Sequence, residues 1–381
     1  MFLGRVDDNE GRIVQDPKAA HYLGRSGSRG RLKMKRPFPV IDADGHVLER
    51  DRELREFLPA EFRAVPGKRE YPLFAWDGWA RGALSPHKRE HPSVDLWLRF
   101  LDATEIALTV LYPNEGLNIG LQRDRDWAVA LARAYNDWLH HEFLSASPRF
   151  QGVALLAVQE PGEAAGELER AVRDLGMVGG MLAGVMSPMR GLGLPEFDPI
   201  YQMAERLDVP LAVHSGPAVE LGLDHFQSFA GVYPLSHPFA QMQQLTSMMI
   251  YGVFERFPKL RVAYLESGCG WVPYLADRLD ESWEHRLSRW PHPAKQAPSE
   301  VMRGGNLFYA CEREERTLAT VAALFGEAQL LWASDFPHER PWDEFSGDID
   351  TLVNRKDLPA SLPRKILFDN PCEFYNVRLE R

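Results

Sequence analysis

The chain has 381 residues, of which 45% are hydrophobic and 26% charged, proportions that suit a folded protein with a large core and exclude the disordered class. Lys and Arg number 44 against 54 Asp and Glu, a formal charge of -10, so no general field draws the chain to nucleic acid or anionic lipid. Three cysteines, no apolar run near the roughly 18 residues of a membrane span and no secretory pattern argue against a disulfide framework and a CxxC metal site, and for a cytoplasmic setting.

Residues 1–37 read as a flexible basic leader. Gly24, Ser26, Gly27, Ser28 and Gly30 are interleaved with Arg25, Arg29, Arg31, Lys33, Lys35 and Arg36, with no acid among them. Met34 would serve equally well as a start, which leaves the place of residues 1–33 in the native protein open.

Residues 38–381 form the second expected unit. Short β-branched runs alternate there with longer amphipathic stretches, as in βα units around a parallel sheet. Strands are expected at Val40 to Asp44, Ile106 to Tyr112, Phe150 to Val158, Val178 to Leu182, Val209 to His214, Leu260 to Glu266, Leu307 to Cys311 and Leu330 to Ser334. Helices are expected at Asp126 to Ser145, Gly162 to Leu175, Asp198 to Leu207, Phe239 to Phe257, Trp271 to Trp283 and Thr317 to Phe325. Eight strands with crossover helices is the count of an α/β (β/α)8 TIM barrel, with a doubly wound open sheet as its rival. Residues 50–103 are too long for a simple crossover and read as an insertion after strand one.

Three strand ends carry chemistry. The first runs Ile41-Asp42-Ala43-Asp44-Gly45-His46-Val47-Leu48-Glu49, where Asp44 and His46, two positions apart on an extended strand, point to one side and can share a cation. The fifth delivers His214 into a Ser215-Gly216-Pro217 turn, and the eighth ends in Ser334-Asp335-Phe336-Pro337-His338. Each has a plain alternative: a chance DxH, a hydrogen-bonded imidazole, an Asp capping the next helix. In a barrel the C-terminal ends of strands ring one mouth, so three coincident cues favour a metal site.

The order of these motifs resembles the amidohydrolase superfamily, and within it the amidohydrolase-related (type 2) family of metal-dependent barrel hydrolases and decarboxylases. The resemblance runs from about Phe38 to the C-terminus, through Asp42-x-Asp44-x-His46-x-x-Glu49, Tyr135-Asn136-Asp137-Trp138, Val213-His214-Ser215-Gly216, Gly252 to Pro258, Glu266 to Trp271, Ser334 to His338 and Asn370-Pro371. It implies one divalent ion, zinc or else manganese or iron, on Asp44, His46, His214 and Asp335. Asp335 would also handle the water proton, and His338 would hold an oxyanion or donate a proton, with a loop-packing role equally open. A second ion on Glu49, Glu266 and His338 is the alternative. Many relatives place a histidine after strand six where this chain has Glu266, and that departure favours hydrolysis.

The leading expectation is therefore a metal-activated water that cleaves an amide, ester, thioester or lactone in a small organic acid derivative. Glu266 joins Asp335 and His338 as a catalytic candidate. The runner-up is non-oxidative decarboxylation of an aromatic or unsaturated carboxylate, and a silent ligand-binding barrel is the reading from another class. Trp76, Trp79, Tyr112 and His237 are candidates for substrate contact. The expected partner is a small molecule, with no nucleic acid and no membrane; the sequence leaves self-association open.

Overall fold

A computed structural model describes residues 36–63, 73–74, 92–338, 345 and 347–379. Trp76, Trp79 and nearly all of the leader lie outside the described residues. From Phe38 onward the chain forms one compact unit. Eight strands, β1 (Ile41–His46), β2 (Leu108–Tyr112), β3 (Phe150–Leu155), β4 (Gly179–Ala183), β5 (Leu211–His214), β6 (Val262–Tyr264), β7 (Leu307–Cys311) and β8 (Leu330–Trp332), pair in chain order. Every pairing is parallel, and nearly every strand residue is buried. The open-sheet rival is ruled out at the seam: beyond β8, Asp335 N donates to Asp44 O at 3.1 Å and His46 N to Phe336 O at 2.7 Å, closing the ring.

Helices cover the outside. The insertion after β1 contributes α1 (Asp51–Phe57), α2 (Ala60–Arg63) and α3 (Val94–Thr104). They are followed by α4 (Arg125–Leu139), α5 (Pro161–Asp174), α6 (Asp198–Leu207), α7 (Phe229–Ile250), α8 (Val253–Arg256), α9 (Trp271–Arg286), α10 (Pro298–Arg303) and α11 (Leu318–Phe325). Three short helices, α12 (Asp348–Val353), α13 (Leu362–Arg364) and α14 (Asn370–Tyr375), finish the described chain. No helix among the described residues is long and apolar enough to cross a membrane.

Two departures from the expected elements bear on the site. Strand β1 ends at His46, two residues beyond the expected Asp44, so His46 sits on the strand itself. Gly45 lets it pass, because a Cβ there would lie 2.5 Å from the Trp97 ring and 2.7 Å from Thr109 Oγ1. Helix α7 begins ten residues before its expected start. Pro234 and Pro238 lie inside it and cost it the bonds to the carbonyls four residues back, yet the helix continues through His237.

Helix α3 starts on Ser93, whose Oγ accepts from Leu96 N at 3.2 Å, an N-cap arrangement. Its buried face sets Phe100 parallel to Phe336 at 4.0 Å and Trp97 edge-on to the same ring at 4.8 Å. The loop that follows β8 is thereby anchored by an aromatic residue lying between Asp335 and His338.

Candidate metal centre

Strand β1 supplies Asp42 and Asp44, and the two differ in use. Asp42 is spent on the seam: it accepts from Ser334 N and Ser334 Oγ, each at 2.7 Å, and from Thr109 Oγ1 at 2.8 Å. Burial still pushes its carboxyl up to about 6 against those bonds. Asp44 is 1% exposed, and neither of its carboxylate oxygens has a hydrogen-bond partner. Its Oδ1 lies 3.4 Å from His46 Nε2 and its Oδ2 lies 3.2 Å from His214 Nε2.

Both imidazoles are turned the same way by a backbone oxygen. His46 Nδ1 meets Pro113 O at 2.8 Å, and His214 Nδ1 meets Ser215 O at 2.8 Å. With Nδ1–H committed to a carbonyl, each ring presents the Nε2 lone pair to the centre, as ligating histidines do. Neither Nε2 has a hydrogen-bond partner. Four fully buried polar atoms without one are a rarity in a packed protein, and a divalent cation satisfies all of them together. Donor chemistry of two imidazoles with carboxylates suits such an ion.

Asp335 completes this side. Its backbone is held at φ 54°, and its Oδ1 stands 3.5 Å from His46 Nε2 and 2.6 Å from His338 Nδ1. Burial pushes the Asp335 carboxyl up, but the imidazoles of His338, His46 and His214 outweigh it and hold the group below the usual carboxylate range. His338 stacks on His46 with ring centres 4.2 Å apart. Its Nε2 lies 2.8 Å from Asn114 Oδ1. The Asn114 amide is fixed in that sense because its Nδ2 donates to Glu115 Oε1 at 2.9 Å, so His338 meets an acceptor at each nitrogen and donates to both.

The remaining candidates separate cleanly. Glu266 sits two residues past β6 at φ 53°, and its Oε2 lies 3.3 Å from His214 Nε2 and 3.7 Å from His237 Nε2. His237 therefore reaches the same wall from α7, and burial pushes it down to about 4. Two groups of donor atoms fall within ion-sharing distance, Asp44 with His46 and His214, and His46 with Glu266, Asp335 and His338. Glu49 is in neither. Its Oε2 accepts from Asn114 N and Glu115 N, its Oε1 from Gly116 N, all at 2.9 to 3.0 Å, so it braces the loop after β2. The structure thus gives no support to Glu49 as a second-ion ligand. Tyr112 is fully buried, its hydroxyl paired with Tyr375 at 2.7 Å, which in turn donates to Ala43 O at 2.6 Å; it packs beneath the histidines instead of facing a ligand.

Asn114 escaped the sequence reading. An amide just past the apolar β2 is the only signal it offers, and charged residues and imidazoles drew the attention there.

Electrostatics sets a pH expectation. Burial and the neighbouring His338 ring push His46 down to about 3, so no proton competes there for an ion. For His214 burial alone would lower the pKa, but the Asp44 carboxylate, the Ser215 carbonyl and the Asp335 carboxylate together outweigh it and raise the group. An ion needs the neutral ring, so binding expels a proton from His214 at any pH below its raised pKa. Apparent ion affinity is expected to fall by up to about tenfold per pH unit below that point. Calorimetry in buffers of different ionisation enthalpy checks this, and a flat affinity profile with no proton released removes His214 from the donor set.

Comparison with known proteins follows the same lines. A family profile described as amidohydrolase matches residues 41–377. Gamma-resorcylate decarboxylase of Rhizobium sp. (strain MTP-10005) is 28% identical over 256 residues, covering 64% of this chain and 77% of that protein. Among solved structures, 5-carboxyvanillate decarboxylase from Novosphingobium aromaticivorans with bound manganese superposes with a TM-score of 0.68 at 22% identity, over 90% of this chain and 98% of that one. Dihydroxybenzoic acid decarboxylase from Polaromonas sp. JS666, with manganese and 2-nitroresorcinol, gives 0.66 at 21%, over 89% and 97%. These matches correct the expectation of a carbonyl-bond hydrolase, since the relatives are decarboxylases. That expectation rested on the missing histidine after strand six; in the folded chain an imidazole reaches that wall from α7 as His237, 3.7 Å from Glu266.

Proposed function

The chain belongs to the amidohydrolase family, and from that premise we propose that it catalyses the non-oxidative decarboxylation of an aromatic carboxylic acid bearing a hydroxyl beside the carboxylate. One observation carries the reading: a single carboxylate, Asp335, borders both the ion seat, 3.5 Å from His46 Nε2, and a proton donor, 2.6 Å from His338 Nδ1. Decarboxylation needs that pairing, because the bond to the carboxylate carbon breaks, CO2 leaves and the ring carbon takes up one proton.

Asp44, His46, His214 and Asp335 would hold one divalent cation. When bound, such an ion grips an anionic substrate through its oxygens and withdraws electron density from the ring. The protein does the rest. Pro113 O and Ser215 O aim the two ligand rings. Asn114 holds the far edge of His338, so the proton on Nδ1 stays in line with Asp335 Oδ1, from which it reaches the substrate carbon. Asp44, His46 and His214 are sealed from solvent, which keeps water from the inner side of the seat. Glu266 and His237 form the opposite wall.

The test is a substrate panel. Purified protein with Mn²⁺ is expected to release CO2 from 2,6-dihydroxybenzoate or another ortho-hydroxybenzoate, with one phenol formed per CO2. Acid release from an ester, amide or lactone panel, without CO2 from any benzoate, overturns the reading.

A further inference from the structure

Glu49 stands three residues past His46, where the chain leaves β1, and is 5% exposed. Its carboxylate collects three successive amides of the loop after β2. Oε2 accepts from Asn114 N at 2.9 Å and from Glu115 N at 3.0 Å, and Oε1 accepts from Gly116 N at 3.0 Å. Consecutive backbone N–H groups turned toward one point form a concavity suited to an anion, and hydrogen bonds to an ionised acceptor are about twice as strong as neutral ones. The fit is close. A Cβ on Gly116 would lie 3.2 Å from Glu49 Oε1 and 2.6 Å from Pro113 Cβ, so the loop has no slack against the carboxylate.

Residues 113–116 also reach the centre twice. Pro113 O meets His46 Nδ1 at 2.8 Å, and Asn114 Oδ1 meets His338 Nε2 at 2.8 Å. The first contact aims an ion ligand, and the second orients the ring whose other nitrogen faces Asp335. The two rings stack with centres 4.2 Å apart, so a displaced loop disturbs both members of one stack.

We propose that Glu49 is a positioning residue for both histidines: one carboxylate fixes the 113–116 loop and, through it, the lone pair of His46 and the proton of His338. The His338 half rests on the decarboxylase reading, and the His46 half rests on the metal seat alone. Because the two branches leave the loop at different residues, they predict a split that a general loosening of the fold does not give. Asn114 carries the proton branch, and Pro113 carries the ion branch.

Glu49→Gln leaves one side-chain oxygen for three amides and turns an NH2 group against at least one of them. Residues behind a metal ligand typically contribute 10–100-fold to affinity or activity. Titration of the full-length, ion-stripped variant is expected to show Mn²⁺ bound about tenfold more weakly, and kcat for CO2 release at saturating Mn²⁺ should fall about tenfold with KM unchanged. Asn114→Ala cuts the proton branch only, so it should lower kcat to a similar extent and leave Mn²⁺ affinity unchanged. In the double variant kcat should stay within about twofold of Asn114→Ala alone, the mark of two residues acting in one line, while the full Mn²⁺ loss of Glu49→Gln persists. Glu49→Asp keeps the charge but falls short of the loop, and carries the test if circular dichroism shows the glutamine variant unfolded. Additive losses of kcat, or wild-type Mn²⁺ affinity in the Glu49 variant, overturn the inference. Should wild-type protein bind Mn²⁺ yet release CO2 from no benzoate, the His338 half falls with the decarboxylase reading, and the Mn²⁺ titration still decides the His46 half.

Discussion

Replacing His214 by alanine is expected to empty the centre. His214 supplies one of the two imidazoles aimed at the ion, and its Nε2 lies 3.2 Å from Asp44 Oδ2. Without it the Asp44 carboxylate, 1% exposed, faces a void on that side. Loss of an outer partner costs about 10–100-fold in metal affinity; loss of a ligand should exceed that, to about 10³-fold or more. Elemental analysis of the purified variant is expected to find the ion gone, and titration with Mn²⁺ to find only weak uptake. The ion also stabilises the folded chain by about 4 kcal/mol when present at about 1,000 times its dissociation constant. Wild-type protein should therefore melt several degrees lower in chelator, while His214→Ala shows no such shift. Metal content and melting behaviour equal to wild type would remove His214 from the site.

Asp335→Asn is expected to separate ion binding from turnover. The change keeps the size of the side chain but removes the charge that faces His338 Nδ1 at 2.6 Å. Three buried donors remain on Asp44, His46 and His214, so the ion should still enter when supplied in excess. The proton path does not survive: an amide neither accepts a proton from His338 nor passes one on. General acid and base groups contribute about 10²–10⁴-fold, and kcat for CO2 release is expected to fall by about 10³-fold at saturating ion. Single-turnover CO2 release on ion-loaded protein is the measurement. A kcat within tenfold of wild type would assign the proton to another group.

Much of this centre could be read before folding because each strand announces its end. Apolar runs stop at Asp44, His214 and Asp335, and the parallel order of the barrel brings such ends to one mouth. Beyond the strand ends legibility falls, since loops and helix starts are set by contacts between distant segments. His237 looked like a residue before a helix because Pro238 follows it, whereas α7 runs from Phe229 through both prolines. Asn114 acts through the orientation of its amide, which depends on Glu115 and His338 together. Glu49 has the residue type and the spacing of a ligand, yet three backbone N–H groups claim it. Which carboxylates remain for chemistry is decided by what else each one touches.

The seam adds a constraint in time. Ser334 reaches back across 292 residues to the Asp42 side chain, and Asp335 bonds the backbone of Asp44, so the first and last contributors to the centre become neighbours only when the whole circuit has been threaded. A nascent polypeptide emerging from the ribosome carries Asp44, His46 and His214 long before Asp335 exists. Such an intermediate carries three of the four donors without the closing carboxylate, and the full seat forms only once β8 and the loop beyond it have been made.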